Sequence, residues 1–502
     1  MSRPEHLWSR WLVGLVEAEP EDWETIAAEA DNLPHAWDLV SGEPELAIRF
    51  VLVMRFFCGR RGLMREYLAW VRDALPLARA LGEWEDEVRL LLSAAVMHED
   101  LEEPEDAIAA SERALALAEA AGDEGWKASA WNNIGTSMMT LGRLDDALRY
   151  FRLTLDVWRR TGDREAFGTA MHNIARVMSD RGDHRQALTF LEQALEIHRE
   201  LGDVESEATT LHTMGIEHYV RGDVRAAMAA YEEACGLNRR VGDRGGESNA
   251  LNSLGMLHED LGDLDAALRA YQAALAIREE LGDRDGQAET LTGIGALLSR
   301  RGELDAALAY HRRALAIEEA REDVSGQAAV LNNLGFAHAT AGQDEEAVAY
   351  FERALRLALQ VDDPEVLAGA LSNLGLQHRG ARRTREAFTC FRGALVAARR
   401  VGELSTEGTA LNNLGLVLAD RGHTRWARAL YERALAIHRK TENPLEEAAV
   451  LSNLAVVDLE DGDVRGAERR LARMVEIGER TGARDVDRDR RRLEEVRGLL
   501  AE

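Results

Sequence analysis

Apolar positions along the chain fall into two alternating helical frames. Trp131, Ile134, Gly135 and Met138 stand at i, i+3, i+4 and i+7, one face of a helix. After Leu141-Gly142-Arg143, the residues Leu144, Ala147, Leu148, Phe151 and Leu155 mark a second amphipathic helix. Gly162-Asp163 ends the pair, because glycine suits a left-handed C-cap and aspartate caps the helix that follows. At Asp363-Pro364 and Asn443-Pro444 a cap residue instead precedes a first-turn proline. Each unit therefore reads as a helical hairpin. The small residues at 135 and 147 let its two helices approach closely.

The same pattern recurs every 40 residues. One glycine series runs Gly135, Gly215, Gly255, Gly295, Gly335, Gly375 and Gly415, with Ala175 and Ala455 substituting. A second includes Gly142, Gly182, Gly222, Gly262, Gly302, Gly342, Gly422 and Gly462, and an alanine series runs from Ala147 to Ala467. The register holds without insertion or deletion from about residue 51 to 482. A fixed period of this kind predicts an all-α solenoid, an α-α superhelix of about eleven hairpins in which each unit rests on its neighbours.

The residues Trp131, Ile134-Gly135, Ala147 and Phe151, with Leu331-Asn332-Asn333-Leu334-Gly335 and Leu411-Asn412-Asn413-Leu414-Gly415, resemble the tetratricopeptide repeat in its 40-residue form. Kinesin light chains and Pins-type polarity adaptors carry similar units. The resemblance implies a right-handed superhelix whose first helices line a concave groove that binds a peptide or protein. The expected organisation is an N-terminal helical cap at 1–44, a repeat array at 45–483 and a capping helix at 484–502. Glu29-Ala30-Asp31-Asn32-Leu33, Ala36-Trp37 and Gly42-Glu43-Pro44-Glu45-Leu46-Ala47 are similar to the opening of the repeat region of bacterial STAND-type regulators. That likeness implies a sensor half acting with an ATPase, whereas a plain solenoid cap accounts for the same tryptophan-rich stretch. The arginines from Arg484 to Arg497, interleaved with acids, read as a solvated capping helix or as a binding tail.

Composition narrows the function classes. A formal charge of 61 − 89 = −28 argues against wrapping nucleic acid or lying on anionic lipid. No apolar run approaches the ~20 residues of a membrane helix, and MSRPEHLWSRW lacks the parts of a signal peptide, so the cytoplasm is the expected compartment. Cys58, Cys235 and Cys390 form no CxxC pair and read as buried thiols. The only lysines, Lys127 and Lys440, stand outside any Gly-Lys-Ser/Thr step, so no P-loop is present, and no GxSxG or HExxH occurs. His98, His218, His258, His338 and His378 share one repeat position. Copies one repeat apart are too distant to ligate one metal at ~2 Å, so packed histidines are expected. No cofactor and no metal are expected, and an enzyme with an unrecognised site is the remaining rival reading.

If Trp131, Ile134, Gly135 and Met138 face the core, then positions 129, 133, 136 and 140 point the other way, into the implied groove. The equivalents of 133 include Asn133, Asn173, Asn333, Asn373, Asn413 and Asn453. Asparagine offers a donor and an acceptor, so this ladder suits an extended peptide backbone. Bonding between neighbouring helices, which would hold the superhelix pitch, suits it equally. The equivalents of 136 include Arg176, Ile216, Met256, Phe336, Leu376, Leu416 and Val456, an apolar strip, while those of 140 and Glu289 add acids. A neutral or basic peptide with apolar anchors is the partner this predicts. One turn departs from the pattern: Arg379, Arg382, Arg383 and Arg385 gather at a bend, an irregular surface turn or a docking point for an acidic partner.

Overall fold

The computed structural model describes residues 33–60, 63–402, 404–441, 443–481 and 486–501. Helices and the turns between them make up these residues, with no strand among them. After the short helix Leu33–Val40 come eleven hairpins in register, from Pro44–Arg60 with Met64–Leu81 to Pro444–Glu460 with Val464–Thr481. The helix Val486–Ala501 closes the series. In each hairpin the first helix is here called A and the second B. Residues 1–32, with most of the expected N-terminal cap and the Glu29-Ala30-Asp31-Asn32 start of its STAND-like motif, lie outside the described residues. So do residues 482–485, where the expected boundary of the last helix falls.

The turns explain the fixed period. Gly142 ends an A helix at φ +69° and Gly162 ends a B helix at φ +77°, a region an L side chain enters only at a steric cost. Aspartate then caps many of the next A helices. The Asp163 carboxylate accepts from the Ala166 backbone N–H at 3.1 Å, and Asp283 accepts from Gly286 at 2.9 Å. Pro364 and Pro444 stand in first turns, where the missing N–H costs nothing.

Inside the hairpins, a ring packs directly against the A-helix glycine. A Cβ added at Gly255 would lie 2.7 Å from the Tyr271 ring, and one at Gly375 would lie 2.6 Å from Phe391. Phe151, Tyr231, His311, Phe351 and Tyr431 sit on their glycines in the same way. Where the series has Ala175 and Ala455, the residue sixteen positions on is Leu191 or Leu471, with no ring. The two positions thus trade volume, as close packing requires.

Contacts divide the chain into two compact units. The first ends at Leu201, and the second holds Gly202 onward together with residues 182–184. Near its N-terminal end the first unit packs Trp37 on Trp70 at 6.2 Å between ring centres, with Phe50 edge-on to Trp70 at 5.3 Å. In the second unit, Gly222 approaches Pro444 and Thr481 so closely that a Cβ there would meet both at 2.8 Å. Its first and last hairpins therefore touch. Val486–Ala501 buries Leu493 and Val496 against that last hairpin, and its Arg490 and Arg497 pair with Glu479 and Glu468. No described helix is long and apolar enough to cross a membrane. Cys58, Cys235 and Cys390 are buried free thiols, and burial pushes the Cys58 thiol up to about 12.

Candidate binding site

The A helices present the residues singled out from the sequence, because the B-helix rings occupy their opposite side. In the second unit, Ile216, Met256, Phe336, Leu376 and Val456 stand at one repeat position with 40–45% of their surface exposed. Leu416, at the same position, is half-buried. Folding normally removes such side chains from water, and a row of them repeated at one position is a surface with something to gain by being covered. The first unit offers Arg176 instead, exposed at that position. Burial, with Arg176 nearby, pushes the His172 imidazole down to about 4.

The asparagines do not form a uniform ladder. Asn173, Asn373 and Asn453 each donate an amide N–H to Asn132, Asn332 or Asn412 of the preceding A helix, at 2.9, 3.0 and 2.8 Å. Asn133 donates to the Leu92 carbonyl at 3.4 Å. These bonds tie neighbouring hairpins. Asn173 and Asn413 are only 8% exposed, so little of either reaches solvent. Asn333 makes no side-chain hydrogen bond and is half-exposed beside Phe336. Of the six, it keeps the most hydrogen-bonding capacity for a ligand.

Several charges counted from the sequence as groove acids have partners within the protein. Asp260 accepts from the Tyr219 hydroxyl, and Asp420 takes both arms of Arg379. Glu289 takes Asn252 and the buried Arg278, and Arg300 pairs with Glu259 at 2.9 Å. The exposed A-helix face of the second unit is accordingly more apolar than acidic.

The arginine turn divides as well. Hydrogen bonds donated to Asp420 hold the Arg379 guanidinium above its ordinary range, so this arginine is committed to the next hairpin. Arg382, Arg383 and Arg385 are exposed and make no ion pair. Arg421, Arg425 and Trp426, which the repeat pattern does not single out, are also exposed at the next turn. Trp426, 71% exposed, is the most exposed large apolar side chain among the described residues. Comparing turns across the repeat would have exposed it, since position 426 is aspartate, alanine, glutamine or glutamate in most other units.

Two histidines of the shared position brace their own turns. His98 Nδ1 meets Glu103 at 2.8 Å, and His338 Nδ1 meets Gln343 at 2.6 Å. Ligand atoms of His98, Glu103 and Asp106 lie within 4.8 Å of one another. Glu103 already holds Arg65 at 2.5 Å, so a fixed cation occupies that corner. A cleft of about 470 Å³ beside them is lined by Leu68, Leu75, Leu91 and Arg113, among others.

Known proteins place this geometry. The tetratricopeptide repeat matches residues 126–200, 168–240, 246–320 and 366–440, and a second form of that repeat matches 327–361. A shorter match, residues 88–130, is to anaphase-promoting complex subunit 5. No curated protein matches the chain. Among solved structures, the apo form of RapI is similar over 71% of this chain and 98% of that one, at 12% identity and a TM-score of 0.52. A Rap protein complexed with competence and sporulation factor covers the same shares at 16% identity and a TM-score of 0.49. A STAND protein with a tetratricopeptide repeat sensor from Pyrococcus horikoshii matches 66% of this chain over 54% of its own length, at 17% identity and a TM-score of 0.47. At these identities the likeness concerns the fold alone. With repeat matches over more than half of its length and hairpins in unbroken register, the chain belongs to the tetratricopeptide repeat family.

Proposed function

We propose that this protein is an interaction scaffold that binds a peptide or protein segment along the A helices of its second unit. The observation that carries the reading is the exposed row Ile216, Met256, Phe336, Leu376 and Val456. An extended segment with apolar side chains would cover these residues, and Asn333 supplies a donor and an acceptor to its backbone. Internal pairing of Asp260 and Asp420 removes the main reason for requiring a basic segment, so a neutral one fits. Binding, not catalysis, is the proposed activity, and a sensor role beside a separate ATPase is a special case of it.

Peptides selected from a random display library on the full chain test this. Replacing both Phe336 and Leu376 by Asp should weaken the selected peptides by about a hundredfold, since each buried anchor contributes on the order of 1.5 kcal/mol. The melting temperature should stay unchanged. Selected peptides that bind the double variant as well as the parent would refute the site. Replacing Asn333, Asn373 and Asn413 by Ala separates the roles of the asparagines. Affinity should fall mainly through Asn333, and stability mainly through Asn373.

A further inference from the structure

Two consecutive turns of the second unit carry a second, independent surface. Arg379 reaches Asp420 at the end of the next A helix, and Arg421 Nε donates to Thr384 Oγ1 at 3.2 Å, so the two turns lie side by side. In two other repeats this junction is an ion pair. Arg181 pairs with Asp145, and Arg301 with Asp265 at 3.1 Å, each thirty-six residues back. Thirty-six residues before Arg421 stands Arg385, so the carboxylate that closes those two junctions is here an arginine, as Arg185 is before Arg221. The acid in the corresponding place for Arg425, Asp461, is taken by Arg428 at 2.9 Å. The result is an exposed, unpaired cluster of Arg382, Arg383, Arg385 and Arg425 in a chain whose net charge is −28.

Two further observations point the same way. Arg382 takes φ +57°, as Glu102 does at φ +58°, at the place where Gly142, Gly182, Gly262 and Gly302 take the same turn without strain. The arginine is held there at a conformational cost that glycine would remove. Beside the cluster, Trp426 is left 71% exposed. Arginine and tryptophan are the residues that most often dominate binding energy at protein interfaces, and guanidinium groups take carboxylates in paired hydrogen bonds.

We propose that this double turn docks an acidic protein segment, its carboxylates on Arg382, Arg383, Arg385 and Arg425 and an apolar side chain against Trp426. A short acidic stretch fits better than a nucleic acid. At physiological salt the cluster acts only within about 8 Å, whereas a long polyanion would also meet the negative remainder of the chain. The surface is made of different side chains from the A-helix row, so variants of one leave the residues of the other in place.

Fluorescence anisotropy of a labelled peptide, six glutamates followed by a phenylalanine, tests the proposal on the full chain. Binding should weaken steeply with salt, by at least about tenfold in R383E/R385E, and severalfold in W426A. Peptides selected for the A-helix row should bind these variants as before. The discriminating variant is R382G, which should raise the melting temperature while lowering affinity for the acidic peptide, opposite effects that a purely structural arginine would not give. Absence of binding at low salt, or binding that R383E/R385E leaves intact, overturns the proposal. Tighter binding of an oligodeoxythymidine, lost in the same variants, overturns it in favour of a nucleic acid.

Discussion

The turn after Leu261 and the turn after Gly380 occupy the same place in their hairpins and are built in opposite ways. In the first, Gly262 takes φ +86°, the Asp263 carboxylate caps Ala266 at 3.0 Å, and Asp265 receives Arg301. In the second, Arg382 takes the left-handed conformation, Arg383 makes no side-chain cap, and an arginine stands where the receiving acid belongs. Behind both turns the interiors are alike: Gly255 lies under Tyr271 and Gly375 under Phe391. The difference teaches that the hairpin is held by its interior. Turn chemistry is then free to vary by the small sums that caps and left-handed residues contribute, about 1 kcal/mol each.

The largest effect should come from attacking that shared interior. Gly255→Val and Gly375→Val each force a side chain into a ring at 2.6–2.7 Å, and each should cost about 3 kcal/mol in urea unfolding. Pairing Gly255→Ala with Tyr271→Leu, the combination seen at Ala175 and Leu191, should recover most of the loss of Gly255→Ala alone. If the basic hairpin tolerated valine while the regular one did not, the two interiors would not be equivalent.

Acid should come next. His311 and His438 are buried with both ring nitrogens unpartnered, and burial pushes each imidazole down to about 4. The unfolded chain protonates these rings near 6.5, so it binds protons that the folded chain refuses. Their neutral burial is therefore without penalty above pH 6.5, and stability falls as pH drops from there towards 4. The slope should reach at most about 1.4 kcal/mol per pH unit for each histidine. Urea midpoints between pH 7 and 4.5 measure it. His311→Phe, which copies Phe351 on Gly335, should flatten the profile, and an unchanged slope would contradict the burial argument.

The smallest effect returns to the turns. Arg382→Gly should raise stability, and Gly262→Arg should lower it, by about 1 kcal/mol each, read from thermal melting. Equal and opposite shifts would show that the two turns differ only in backbone strain. A smaller gain at 382 would mean that the arginine makes up part of its cost in the folded protein.

Much of this was legible in the chain itself. The 40-residue period, the two helical frames and the glycines that end each helix follow from local physics, because a left-handed turn and an amphipathic face are properties of short segments. The same rule placed Ile216, Met256, Phe336, Leu376 and Val456 away from the core, since helical geometry alone fixes which side a residue faces. Asparagine chemistry was legible only as two alternatives, because one amide can bond a ligand or a neighbour with equal ease.

Which alternative each residue takes was decided by tertiary structure. Asn373 has Asn332 within 3.0 Å on the preceding helix, while Asn333 meets no such partner. Their position in the repeat is identical, so the sequence alone does not tell them apart. Arg379 and Arg383 likewise look equivalent four residues apart, yet only Arg379 reaches Asp420, forty-one residues away. Glycine spacing is local and survives as a pattern along the chain. A hydrogen bond or an ion pair depends on distances of a few tenths of an ångström between hairpins, and only the packed array sets those distances.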